Sequence, residues 1–258
     1  MKKYELTTNT KMRFGRKLFQ IKALVSFGDV TAGDLGGYIE KEENLSNGGK
    51  SWVYGDAWVS GDARVYGNAR VSGNAWVYGN AWVYGDAWVS GDARVYGNAR
   101  VSGNAWVYGN ARVYGDAWVS GDARVYGDAR VSGDAWVYGN ARVYGNAWVS
   151  GDAWVYGNAW VYGNARVSGD AWVYGNAWVY GNADYICFKG FGSESRNTTM
   201  FRTKNGDVCV SCGCFTGSLK EFSEKVKETH GTSKYAKEYL ACVEAAKIHF
   251  EIGEENDK

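Results

Sequence analysis

Proline is absent from this 258-residue chain, and its charges nearly cancel, leaving a formal net charge of +1. A chain so close to neutral has no strong electrostatic attraction for nucleic acid or an anionic membrane surface. No run of about 18 apolar residues occurs, which excludes a membrane-spanning helix. The opening residues, MKKYELTTNT, carry two lysines but no apolar segment, so a secretion signal is not expected. Trp52–Ala183, about half of the chain, contains no histidine, cysteine or glutamate. General acid–base catalysis needs a group tuned near neutral pH, and this stretch has none. The five cysteines all lie outside it, four of them between Cys187 and Cys214. They read as reduced thiols of a cytoplasmic protein rather than a disulfide framework. Nothing in the composition calls for a cofactor.

What Trp52–Ala183 does contain is one hexapeptide, repeated 22 times without insertion or deletion: Trp or Arg, Val, Tyr or Ser, Gly, Asp or Asn, Ala. A fixed period is the mark of a repeat architecture. In Trp52-Val53-Tyr54-Gly55-Asp56-Ala57, alternation along an extended chain sends Val53, Gly55 and Ala57 to one face. Trp52, Tyr54 and Asp56 go to the other. Six residues cannot bury themselves alone, so a triangular β-solenoid is expected, each hexapeptide forming one side of a coil. The Gly-Asp or Gly-Asn pair marks the corner, because these residues tolerate positive φ. Three sides make an 18-residue coil, and 22 copies make about seven coils, roughly 34 Å tall at the parallel-strand spacing.

The hexapeptide resembles the left-handed β-helices of the hexapeptide-repeat family, in which a small residue follows an aliphatic one four positions later, as Ala57 follows Val53. Gly55 departs from that pattern by coming two positions after the valine instead of one. The strict Val-x-Gly-x-Ala alternation is shared with bactofilin-like right-handed triangular solenoids, which are the alternative to the favoured left-handed form. Acyltransferases of the hexapeptide family work through a histidine in a cleft between subunits, and gamma-class carbonic anhydrases through several histidine ligands. Trp52–Ala183 supplies neither.

The ends differ in composition. Residues 1–51 are expected to form an N-terminal β cap, with short strands at Lys3–Leu6 and Lys17–Leu24 anchored by Leu18, Ile21 and Leu24. An open solenoid end exposes unpaired strand edges and a bare core, so a cap is needed. Residues 184–258 read as a small α/β domain. Its strands are Tyr185–Phe188, Thr198–Thr203 and Val208–Phe215, with a turn at Asn205-Gly206. Ser218-Leu219-Lys220-Glu221 is a capping box opening a helix that Gly231 ends, and a second helix runs from about Ser233 to Phe250. Three sets of residues together resemble uncharacterised phage and prophage proteins. They are Gly28-Asp29-Val30 with Gly33-Asp34-Leu35-Gly36-Gly37, then Cys212-Gly213-Cys214-Phe215, and Thr229-His230-Gly231. That resemblance implies no activity.

Three groups of residues are candidates for chemistry. Cys209-x-x-Cys212-x-Cys214 with Cys187 and His230 offers a weak zinc site, Cys212, Cys214 and His230 being its best ligands. The plainer reading is that Val208, Val210, Cys212 and Cys214 share one strand parity and continue an apolar face. Gly190-Phe191-Gly192-Ser193 with Arg196 and Thr198 offers an anion site, but no helix follows the glycines. The third group is the outward row, in which all 13 tryptophans alternate with nine arginines and 14 tyrosines accompany them. Contiguous exposed aromatics mark interaction surfaces, and Trp, Tyr and Arg are the residues interfaces favour. Residues 52–81 and 82–111 are identical, and 30 residues are five sides, so each duplication moves the pattern to another face. A flat crystal-matching array is therefore not expected.

The sequence thus points to a non-enzymatic scaffold binding a protein partner or itself, as a dimer or trimer, through rows that include Trp76, Trp106, Trp136 and Trp154. Two alternatives are an aromatic platform for glycan or single-stranded nucleic acid and a phage-encoded inhibitor of a host defence protein.

Overall fold

The computed structural model describes residues 2–252, apart from the side chain of Arg196. In each hexapeptide the Trp or Arg and the Val form a two-residue strand, from Trp52–Val53 to Trp178–Val179. The Gly and Asp or Asn that follow make the turn. In every copy but the last the glycine takes φ between +58° and +71°, the left-handed region that side chains with a Cβ avoid. Gly55 and its equivalents therefore form the corner rather than pointing inward, and the inward ladder is Val and Ala alone. Those residues are fully buried along the column.

Strands pair in parallel with a register of 18 residues: Trp88 opposite Trp106, Val89 opposite Val107. Each side donates two or three backbone hydrogen bonds to the next coil. Trp88 donates to Ala105, Ser90 to Val107 and Asp92 to Gly109, all at 2.9 Å. Three sheets result. The first face carries residues 58, 76, 94, 112, 130, 148 and 166 at its outward strand position. The second carries 52, 70, 88, 106, 124, 142, 160 and 178. The third carries 64, 82, 100, 118, 136, 154 and 172.

The ladder begins before Trp52. Leu35–Ile39 pairs in parallel with the first face, Tyr38 opposite Trp58, and Leu45 bridges Val65 on the third. Residues 35–51 thus add an aperiodic coil, giving about eight rather than seven. A hairpin of Tyr4–Arg13 and Arg16–Ala23, longer than expected, extends the first sheet by two antiparallel strands. Its turn, Phe14-Gly15, has positive φ at both residues. Leu18 and Ile21 are buried, but Leu24, expected as an anchor, is 41% exposed. The Tyr4 hydroxyl donates to the carbonyls of Glu42 and Leu45, and its ring packs edge-on against Trp52, which the cap covers completely.

At the other end, Tyr185–Phe191, Arg196–Arg202, Val208–Cys212 and Phe215–Ser218 form an antiparallel sheet in chain order. The single strand expected at 208–215 is broken at Gly213, whose φ of +59° starts a tight turn. Helices α1 (Leu219–His230) and α2 (Lys234–His249) pack on this sheet. Ser218 and Glu221 cap α1 reciprocally and Gly231 ends it. Phe201 enters the solenoid core, Thr199 accepts a hydrogen bond from the Trp172 backbone, and Ala177 bridges Thr203.

Two outcomes test this arrangement. Deleting residues 82–99, one coil, is expected to leave a folded protein, because each coil contacts only its neighbours. A 12-residue deletion turns the C-terminal unit by two sides and breaks its docking. If thermal unfolding shows the 18-residue deletion destabilised more than the 12-residue one, the three-sided register is wrong. The second outcome concerns Lys3, which is buried with its Nζ on the Ser51 carbonyl at 2.7 Å and above the Phe27 ring. Desolvation lowers its pKa to about 8. The unfolded chain holds that proton up to the ordinary lysine range, so stability is lowest below pH 8 and rises as pH climbs toward 10.5. Urea unfolding between pH 7 and 9.5 is expected to show a gain of about 2 kcal/mol. Lys3→Met should flatten it, and equal slopes in both proteins would rule the mechanism out.

Candidate interaction surface

The fixed coil spacing orders the outward side chains into ladders. Tyr108, Tyr126, Tyr144 and Tyr162 stack in sequence on the second face at 4.8–5.0 Å, with rings tilted by 10° or less. Tyr78, Tyr96 and Tyr114 stack likewise on the first face, and Tyr138, Tyr156 and Tyr174 on the third, with tilts of 11° or less. Burial within such a ladder, with Tyr174 and Tyr138 beside it, pushes the Tyr156 phenol up to about 12. Tryptophans meet their neighbours in two ways. In three places the indole N–H donates to a Ser of the preceding coil: Trp88 to Ser72, Trp118 to Ser102 and Trp148 to Ser132. In three others the indole packs edge to face on a Tyr of that coil: Tyr66–Trp82, Tyr138–Trp154 and Tyr144–Trp160. Arginines lie over indoles, Arg94 on Trp76 at 4.4 Å and Arg142 on Trp160 at 4.8 Å. Among the described residues, Arg70 is the one repeat arginine paired with a carboxylate, that of Asp29.

The four proposed contact residues do not share a face: Trp76 is on the first, Trp106 on the second, and Trp136 and Trp154 on the third. The Phe14 ring of the N-terminal hairpin covers Trp76. Trp82, Trp136 and Trp172, three of the four most exposed tryptophans, are all on the third face, and Trp106 is the fourth. There Trp118, Trp136, Trp154 and Trp172 follow one another without interruption. Trp136 and Trp154 stack at 5.0 Å and 2°, Trp154 and Trp172 at 5.3 Å and 10°. Four of the eight ring faces in this run therefore meet one another, and Trp118 meets Trp136 at 63°. An Asp stands two residues before each of these tryptophans: Asp116, Asp134, Asp152 and Asp170. They share one corner, and Lys189 pairs with the last.

The other candidates fare differently. Cys212 is buried, as expected from parity, but Cys214 lies exposed in the turn after Gly213. His230, at the end of α1, stacks on Tyr239. No group of three His, Cys, Asp or Glu among the described residues is arranged to hold a metal ion. Gly192 donates its backbone N–H to Glu238, so a carboxylate already occupies that side of the glycine turn. The Arg196 side chain lies outside the described residues.

Sequence comparison agrees with this architecture. The YdcK beta solenoid repeat model matches residues 63–79, 75–91, 93–109, 105–121, 123–139, 135–151, 141–157 and 159–175. The chain is a repeat β-solenoid protein, and all of these matches lie in the column, none at its ends. No similar curated protein was found.

Corner chemistry yields a test. In eight places an Asn amide donates to the Asn or Asp one coil on, as Asn98 to Asp116 at 2.9 Å. Asp134 has no amide to donate and stands between two other carboxylates. Asp134→Asn is expected to raise the unfolding midpoint by about 1–2 °C by adding a rung and removing like-charge contact. A lowered midpoint would show that the aspartate column is stabilised some other way.

Proposed function

We propose that this protein is a non-catalytic scaffold that works by protein contact along the third face of its column. The observation that carries the reading is the uninterrupted run from Trp118 to Trp172, exposed at Trp136 and Trp172. Aromatic edges with a carboxylate border suit a protein interface, where Trp and Tyr are favoured. A sugar or an unpaired base needs open ring faces, and two stacked contacts take four of the eight faces in this run.

Charge favours a second copy turned end for end. The N-terminal half of this face carries Arg64 and Arg100, and the C-terminal half carries the tryptophans with their four aspartates. Antiparallel pairing sets Arg64 and Arg100 of each copy against Trp172 and Trp136 of the other, for cation–π contact. The resemblance of the chain's ends to phage and prophage proteins makes a host protein, such as a defence component, the next partner to seek in the cytoplasm of an infected or lysogenic cell.

Light scattering at micromolar concentration is expected to give a dimer. Replacing Trp82, Trp136 and Trp172 with Arg should return it to a monomer, and Trp76→Arg, on the first face, should leave it associated. A parent protein that is already monomeric would remove self-association and leave a foreign protein as the occupant.

A further inference from the structure

A cleft of about 830 Å³ opens where the last two coils meet the C-terminal unit. It is separate from the third-face aromatic run. One wall is the end of the second face, with Trp160 and Trp178 packed edge to face at 5.5 Å and the corner amides Asn158 and Asn176. The opposite wall is the turn around Asn205, the start of α1 and Ile252. Its volume is in the range of small-molecule sites.

The polar groups of this cleft are unevenly matched. Asn158 accepts a hydrogen bond from Asn140 through Oδ1, which leaves its Nδ2 without an acceptor. Among the described residues, the side-chain amides of Asn176 and Asn205 make no hydrogen bond. The Trp178 Nε1–H is buried and has no hydrogen-bond partner. The Tyr162 hydroxyl lies near enough for its phenol to feel that N–H, but not in hydrogen-bonding geometry. Lys204 sits over the Trp178 ring at 5.6 Å. Neither it nor Lys220 has a carboxylate within ion-pair distance among the described residues, and Asp207 is the one acidic residue in the lining. One buried indole N–H without an acceptor, beside exposed amides and two lysines without a carboxylate partner, favours an acceptor-rich, anionic occupant. The two indoles, Leu219 and Ile252 favour a flat apolar body.

We propose that this cleft binds a small planar anion, a flat ring system carrying a phosphate or a carboxylate. The ring lies against the Trp160–Trp178 wall, and Lys204 and Lys220 hold the charge.

Calorimetric titration of the full chain with AMP and with 1-naphthoate tests the proposal and separates the two anion types. At least one should bind, with adenosine and 1-naphthalenemethanol much weaker as uncharged counterparts. Lys204→Glu and Lys220→Glu, both surface changes, should each weaken binding by about tenfold or more. Location has its own readout: Cys209 lies in the cleft wall, and Cys214 is exposed outside it. Bound probe should slow iodoacetamide labelling of Cys209 and leave Cys214 unchanged. The proposal is overturned if neither anion binds at millimolar concentration, if the charge-reversed variants bind as the parent does, or if Cys209 labelling is unaffected by a probe that binds.

Discussion

The glycine corner is the constraint on which the rest of the column depends. A Cβ on Gly109 would lie 3.1 Å from the backbone nitrogen of Gly127 in the next coil and 3.3 Å from its oxygen. Gly109 also holds φ at +69°. Conformation and clearance both demand glycine there, and a side chain at the corners from Gly61 to Gly157 would push two coils apart. Because every corner closes in the same way, every coil rises by the same step. That step sets the hydrogen bonds between Val and Ala rungs, and it brings outward rings to stacking distance without further design. The tyrosine and asparagine ladders are consequences of backbone register.

Register also explains how duplication shaped the surface. The contacts Ser72–Trp88, Ser102–Trp118 and Ser132–Trp148 are one contact repeated every 30 residues. They fall on the second, third and first faces in turn, because 30 residues are five sides of a three-sided coil. Faithful duplication therefore mixes Trp and Arg on all faces. The third-face run exists because one copy departs from the unit: Arg64, Arg94 and Arg124 correspond to Trp154. An arginine there would interrupt the stack between Trp136 and Trp172.

Much of this was legible in the sequence, for identifiable reasons. Strict periodicity gives the 18-residue coil and the Val and Ala core, and the Ser218–Glu221 box and Gly231 mark the ends of α1. The aperiodic parts were harder. Residues 35–51 form a coil without repeating the hexapeptide, since Tyr38 and Leu45 join the ladder through the backbone and the Asn44 amide donates to the Gly61 and Ala63 carbonyls. Gly213 broke a strand that alternation seemed to continue, and this placed Cys214 outside the face shared by Val208, Val210 and Cys212. Spacing also shows which aromatics are neighbours, but not their tilt. The difference between Trp118–Trp136 at 63° and Trp136–Trp154 at 2° decides whether a ring face is open.

The division of residue types between column and ends separates two kinds of recognition. Within the column the polar groups are hydroxyls, amides, aspartates and arginines on an invariant backbone, so it can offer contact but no enclosed site. Enclosure requires that the chain depart from the repeat. It does so where the 203–208 turn and α1 lean over Trp160 and Trp178, and there lysines, a thiol and unpaired amides converge. A long face and a closed end can therefore be altered independently. Substitutions at Trp136 or Trp172 leave the cleft lining intact, and those at Lys204 or Lys220 leave the aromatic run intact.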